Sequence, residues 1–163
     1  MKSKHLNDLK NIKFLAFDFD GVFTDNRVWI NQSGHESVVC YRSDGIGISK
    51  LRSLGVTMLV ISSEKNPVVK QRCDKLNIEC INGVNDKWKI LKNRLCSEKI
   101  DYAYCGYMGN DIQDIECMQE CGYSFSVNDA YEEVKKVADY ITKRNGGYGA
   151  VREVCDLIYK IKT

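Results

Sequence analysis

Short apolar runs alternate along the chain with longer stretches in which apolar residues recur every three or four positions, the rhythm of parallel strands joined by helical crossovers. The runs Phe14–Phe19, Thr57–Ser62, Ala103–Gly106 and Tyr123–Val127 are predicted strands of a central sheet. Between them, Asn66 and Pro67 place a cap before a first-turn proline, and Val69, Cys73 and Leu76 then repeat on one helical face. Trp88, Leu91 and Leu95 mark a second helix, and Val151, Val154, Cys155, Ile158 and Ile161 a terminal one. Arg27–Ile30 and Ser37–Tyr41 are alternating β-rich runs joined across Asn31-Gln32-Ser33-Gly34-His35, which predicts a hairpin over about residues 26–42. A hairpin there overhangs whatever binds at the end of the first strand, with His35 solvated in its turn. No repeat, low-complexity tract or linker divides residues 1–163, and the chain has a single proline, so one α/β domain is expected.

Composition changes this picture little. The 163 residues suffice for one buried core, and 24 Lys plus Arg against 22 Asp plus Glu give no reason to expect nucleic acid or a membrane surface as partner. A small ligand fits better. The eight cysteines include no C-x-x-C pair and read as reduced thiols of a cytoplasmic protein. Met1–Lys13 is polar and lysine-rich, without the apolar segment of a secretory signal, and no later stretch has the length of a membrane span. Asn31-Gln32-Ser33 matches a glycosylation acceptor, which carries no meaning in a cytosolic chain.

The chemistry concentrates at strand ends. Asp18 and Asp20 follow an apolar run at spacing i, i+2, so they project together from the end of a buried strand and call for a cation; an acidic turn is the other reading, since Asp20-Gly21 is a common turn pair. Ser62 and Ser63 close the next strand before a helix start, where hydroxyls and free N–H groups suit a phosphate oxygen. Lys87 opens another amphipathic helix, and Gly109-Asn110-Asp111-Ile112-Gln113-Asp114 forms a further acidic loop. In an open α/β sheet such ends face one crevice.

This ordered set resembles the haloacid dehalogenase superfamily of aspartyl-phosphate phosphatases, whose first motif D-x-D-G-V-x-T-D is matched by Asp18 through Asp25. The resemblance spans essentially the whole chain. It implies a three-layer αβα Rossmann-like fold with a hairpin flap and no large cap. It implies Asp18 as nucleophile, Asp20 as acid and base, and Ser62 and Lys87 on the phosphoryl oxygens. It also implies Mg²⁺ held by Asp18, Asp20 and a group among Asn110, Asp111 and Asp114. Asn110 departs from the G-D-D of many relatives and removes one negative charge.

Gly146-Gly147-Tyr148-Gly149-Ala150-Val151-Arg152-Glu153 is similar to the signature of sugar-acid phosphatases acting on 3-deoxy-manno-octulosonate 8-phosphate and on nonulosonate 9-phosphates; Arg42-Ser43-Asp44-Gly45-Ile46-Gly47 resembles another loop of theirs. A mobile glycine turn followed by Arg152 suits a substrate carboxylate, although the residues alone favour the reading in which Gly146-Gly147 merely enters the last helix and Arg152 pairs with Glu153 or a surface acid. Ser62-Ser63-Glu64-Lys65-Asn66, with Arg72 behind it, stands where the eight-carbon enzymes usually carry T-G-R, and this points to the nine-carbon group. The resemblance thus implies Thr24, Ser63, Glu64, Arg42, Arg72 and Arg152 as substrate contacts and a homotetramer whose hairpins and tails close the sites. The alternatives are the octulosonate 8-phosphate itself, or a weakly active assembly domain. The latter resembles the unit appended to animal sialic acid cytidylyltransferases and would have such an enzyme as partner. A phosphate-accepting signalling receiver also pairs an acidic pocket with a lysine, but does not need Asp20.

Overall fold

The computed structural model describes residues 6–163. The N-terminal segment lies outside it as far as His5; Leu6–Asn11 form a 3-10 turn whose Leu9 packs into the core. The expected sheet is present and larger than expected. Strands β1 (Phe14–Phe17), β4 (Thr57–Ile61), β5 (Glu79–Ile81), β6 (Cys105–Gly109), β7 (Tyr123–Ser126) and β8 (Tyr140–Ile141) pair in the order β5-β4-β1-β6-β7-β8, all parallel. Every residue of β1 is buried, which explains why it reads as an unbroken apolar run: a parallel sheet is covered on both faces. Helices α1 (Asp44–Ser53), α2 (Val68–Leu76), α3 (Lys87–Ser97), α4 (Ile115–Glu120), α5 (Glu132–Val137) and α6 (Ala150–Lys162) flank it, with α1 packed on α6 and α3 on α4, as the three-layer expectation required. The chain runs outward from β1 to β5, then returns to β6 on the other side of β1, so the carboxyl end of β1 lies at the switch point where open sheets form their crevice. No helix among the described residues is long and apolar enough to cross a membrane.

Two expectations need correction. The third predicted strand does not run from Ala103 to Gly106: Tyr102–Tyr104 form a 3-10 turn, and the strand continues to Gly109, directly against Asn110. Its sequence Cys-Gly-Tyr-Met-Gly lacks the β-branched residues that advertise a strand. Asp44-Gly45-Ile46-Gly47, read as a loop, instead opens α1. Its glycines serve close packing, since a Cβ on Gly47 would lie 2.8 Å from Cys155 Cβ on α6 and one on Gly45 3.1 Å from Leu76. Helix α2 starts at Val68, whose N–H donates to Asn66 Oδ1 at 3.1 Å, so Asn66 caps as expected, from one residue further out.

The hairpin is real but short. β2 (Trp29–Ile30) pairs antiparallel with β3 (Glu36–Ser37), and an isolated bridge joins Thr24 to Cys40 at its base. The turn is shaped by Asn31, whose Oδ1 accepts from the N–H groups of Ser33 and His35, and His35 is exposed. Trp29 and Ile30 are 72% and 66% exposed, so the hairpin offers an apolar surface.

Where α1 meets α6, Asp44 is fully buried. One carboxylate oxygen accepts from the Arg152 N–H at 3.1 Å, and the other has no partner. Burial pushes its carboxyl up to about 6, against the opposing pull of that hydrogen bond and of Arg72, Arg152 and Arg144. The folded state therefore holds this proton more tightly than the unfolded chain, and stability falls as pH rises from about 4 to about 6. Asp44→Asn lacks this slope. It is expected to gain on the wild type between pH 4.5 and pH 7, by at most about 3 kcal/mol. Urea unfolding at both pH values tests this, and an equal difference at the two would refute it.

Candidate active site

The apolar run of β1 ends at Phe17, and the N–H of Asp18 still belongs to the sheet, donating to the Met108 carbonyl at 2.9 Å. Its carboxylate thereby faces the crevice, 4% exposed. Lys87, the first residue of α3, places its Nζ 2.8 Å from Asp18 Oδ1 and 2.7 Å from Asp114 Oδ1, with almost no exposed side-chain surface on any of the three. One ammonium thus serves two carboxylates. Burial, then the Asp114 charge, raises Asp18 to about 8 in spite of Lys87. For Lys87, burial opposes the charge, but Asp18 and Asp114 outweigh it and hold the ammonium above the ordinary lysine value. A group left one positive charge short at a strand end is a place for a cation.

Asp114 is not available to that cation, contrary to expectation. Its Oδ1 also accepts from the Tyr107 hydroxyl at 2.9 Å, and its Oδ2 accepts from the N–H groups of Asn110 and Asp111 at 3.0 and 3.2 Å. With both oxygens doubly engaged it braces the loop and aims Lys87. Gly109 makes room for it, because a Cβ there would fall 2.4 Å from that of Asp114. Tyr107 was not singled out in the sequence; its signal was a lone phenol in a strand otherwise buried and apolar, and such a hydroxyl needs a partner.

The remaining expected groups divide clearly. Asp18, Asp20, Ser62, Ser63, Glu64, Asn110 and Asp111 line one crevice of about 320 Å³, under Asn26, Val28, Glu36 and Val38 of the hairpin segment and beside Gln113. Ser62 is buried, its Oγ accepting from the Glu64 N–H at 3.1 Å, and Ser63 donates to Gln113 Oε1 at 2.8 Å. Burial, then the Glu64 charge, raises Asp20 above the usual carboxylate range, while the Thr24 hydroxyl pulls it down. Asp111 directs its side chain to the Ile112 N–H as a helical cap, and still borders the crevice.

Thr24 is no substrate contact. It is fully buried, and its Oγ1 accepts from the N–H groups of Gly21 and Asn26, fixing the turn that follows Asp20. Arg42, Arg72 and Arg152 do not border the crevice within this chain either. Arg72 donates to the Tyr41 carbonyl at 3.0 Å. Arg152 donates from Nε to Asp156 at 2.6 Å and lines a separate hollow with Tyr41, Ser43, Arg144, Glu153 and Asp156.

The cation-holding groups meet a simple test of fit. Asp18 Oδ2 and the Asp20 carbonyl oxygen lie 3.2 and 2.9 Å from the Asn110 side-chain oxygen, so three oxygens from side and main chain converge on one point. Among the described residues no cluster of three acids, histidines or cysteines forms a metal cage. A carboxylate, a carbonyl and an amide with room for water suit a hard ion such as Mg²⁺, which keeps much of its hydration, and do not suit zinc.

A family model described as haloacid dehalogenase-like hydrolase matches residues 57–154, more than half of the chain. The chain belongs to the haloacid dehalogenase-like hydrolases. Among relatives of this hydrolase, the 3-deoxy-D-manno-octulosonate 8-phosphate phosphatase of Escherichia coli K12 is 33% identical over 150 residues, covering 91% of this chain and 80% of that one. The crystal structure of the corresponding Moraxella catarrhalis enzyme, in complex with magnesium ion, phosphate ion and KDO, aligns with a TM-score of 0.93 at 35% identity over 96% of this chain and 91% of that one. The cobalt-bound Haemophilus influenzae phosphatase gives 0.90 at 30% identity, over 95% and 91%. The haloacid dehalogenase-like hydrolase described here is accordingly a phosphomonoesterase.

The glycine pair expected to form a mobile turn is instead packed against the catalytic loop. Gly147 donates to the Val22 carbonyl at 3.1 Å, and a Cβ on Gly146 would lie 1.8 Å from the Gly21 carbonyl oxygen. Gly146→Ala must displace the backbone just after Asp20. It is expected to lower turnover of para-nitrophenyl phosphate at least about tenfold through misplacement of that loop, and to cost about 1–3 kcal/mol of stability. Steady-state rates beside urea unfolding check both; unchanged turnover would mean the loop position is not critical.

Proposed function

We propose that this phosphomonoesterase hydrolyses the terminal phosphate of a sugar acid, a nonulosonate 9-phosphate, with Mg²⁺ as its cofactor. The observation that carries the reading is the lining of the crevice: Asp18, Ser62 and Asn110 where a phosphate would sit, and outer walls bearing Glu36 and Glu64 and, among the described residues, no arginine or lysine. An acidic wall suits the hydroxyls and substituted amine of a nine-carbon sugar and disfavours a further anionic contact. The similarity to octulosonate 8-phosphate phosphatases, one of them in complex with magnesium, phosphate and KDO, supports the sugar-acid class and the metal.

In this reading an Asp18 oxygen attacks phosphorus as the ester P–O bond breaks, and the departing sugar oxygen takes a proton from Asp20. Its raised carboxyl suits Asp20 to hold that proton. A water then attacks the aspartyl phosphate, Asp20 recovers a proton from it, and the bond to Asp18 breaks. Lys87 keeps Asp18 aimed and balances charge, while the Ser62 hydroxyl donates to a phosphoryl oxygen. When bound by Asp18, the Asp20 carbonyl and the Asn110 amide oxygen, Mg²⁺ supplies charge neutralisation at the phosphoryl oxygens. The exposed Trp29 and Ile30 support closure of the crevice by further copies of the chain in a homotetramer.

The second reading, the eight-carbon octulosonate 8-phosphate, is favoured by the relatives' own activity. Phosphate release from nonulosonate 9-phosphates and octulosonate 8-phosphate, with Mg²⁺ and after chelation, separates the two by kcat/KM. The nine-carbon ester is expected to lead by about tenfold or more, with activity lost on chelation and in Asp18→Asn. A preference for the eight-carbon ester would sink the first reading, and activity that survives chelation would sink the metal.

A further inference from the structure

Asn110 is fixed at both main-chain polar atoms. Its N–H donates to Asp114 Oδ2 at 3.0 Å and its carbonyl accepts from the Tyr131 N–H at 3.2 Å. Only the side-chain amide is left to select partners, and at 5% exposure water is not the main one. Its amide oxygen faces two acceptors, Asp18 Oδ2 at 3.2 Å and the Asp20 carbonyl at 2.9 Å; turned about its terminal torsion, the amide puts its nitrogen there and donates to both. Gly21 closes over the same group: its φ is +79°, and a Cβ on it would lie 1.9 Å from the Asn110 amide. The loop after β1 is therefore folded directly onto this side chain.

The two oxygens that receive the amide hydrogens are the ones assigned above to the divalent ion. We propose that the Asn110 amide stands in for the ion when it is absent, so that divalent-cation binding is weak on its own and is coupled to the arrival of phosphate. This rests on the metal-dependent reading under Proposed function. A carboxylate at position 110 would set oxygen against oxygen and leave the site dependent on a cation. An amide satisfies it. For the ion to enter, two hydrogen bonds must be given up and the amide turned about its terminal torsion to present Oδ1, a ligand without charge. The missing negative charge then comes from the ligand, whose phosphate carries it. By linkage, phosphate strengthens cation binding by the same factor by which the cation strengthens phosphate binding.

The test is a Mn²⁺ titration of the full chain, following the free-ion electron paramagnetic resonance signal with and without inorganic phosphate, beside thermal unfolding after chelation. In the wild type, phosphate is expected to tighten Mn²⁺ binding about tenfold or more. Asn110→Asp is expected to bind Mn²⁺ alone about tenfold more tightly than the wild type, with a smaller response to phosphate. Its metal-free unfolding midpoint should lie several degrees below that of the wild type and recover on adding Mg²⁺. Wild-type Mn²⁺ binding that ignores phosphate overturns the proposal, a result that does not depend on recovering the variant folded. Equal Mn²⁺ affinity or equal metal-free midpoints in the two proteins overturn it as well, and leave the metal-dependent reading intact. Failure of both proteins to bind Mn²⁺ even with phosphate removes that reading, and this proposal with it.

Discussion

The site depends on one ammonium held between two buried carboxylates. Lys87 reaches Asp18 and Asp114 at nearly equal distance, and all three side chains are almost fully buried. Buried charge is tolerable only when paired and hydrogen-bonded, and here the pairing is completed from three directions: β1 supplies Asp18, the start of α3 supplies Lys87, and the loop after β6 supplies Asp114. Tyr107 and two main-chain N–H groups then saturate Asp114, so that it has no oxygen left for the crevice. The acid that looks like a ligand in the sequence acts instead as the anchor from which Lys87, and through it Asp18, takes its direction.

The topology explains why these groups meet. Because β1 lies between β4 and β6, the loops that follow all three strands open on the same edge of the sheet. Polar residues concentrate at that edge while β1 and β6, which feed it, are buried throughout. The hairpin after β1 roofs the crevice with few residues and leaves its own outer face apolar.

What could be read from the chain followed the strength of the local pattern. β1 announces itself through four consecutive buried apolar residues and the Asp18/Asp20 spacing, and α2 through Asn66 and Pro67. The family motifs at Asp18–Asp25, Ser62, Lys87 and Asn110–Asp114 led to one place. Helix α1 was hidden because Gly45 and Gly47 look like loop residues, and only the approach of Leu76 of α2 to the first and of α6 to the second gives them a helical purpose. Within this chain Arg152 and Thr24 serve other contacts than a substrate, for a related reason. A guanidinium fits Asp156 as well as a substrate carboxylate, and a threonine hydroxyl fits a turn as well as a ligand; tertiary contacts alone choose between them. β5 and β8 are too short, at three and two residues, to leave a periodic trace.

Gly146 and Gly147 press on the backbone that follows Asp20 from more than a hundred positions further along the chain. The shape of the reactive loop is thus borrowed from a distant part of the polypeptide, through the docking of α6 against α1. Turnover consequently reports on whether that remote clasp is fastened.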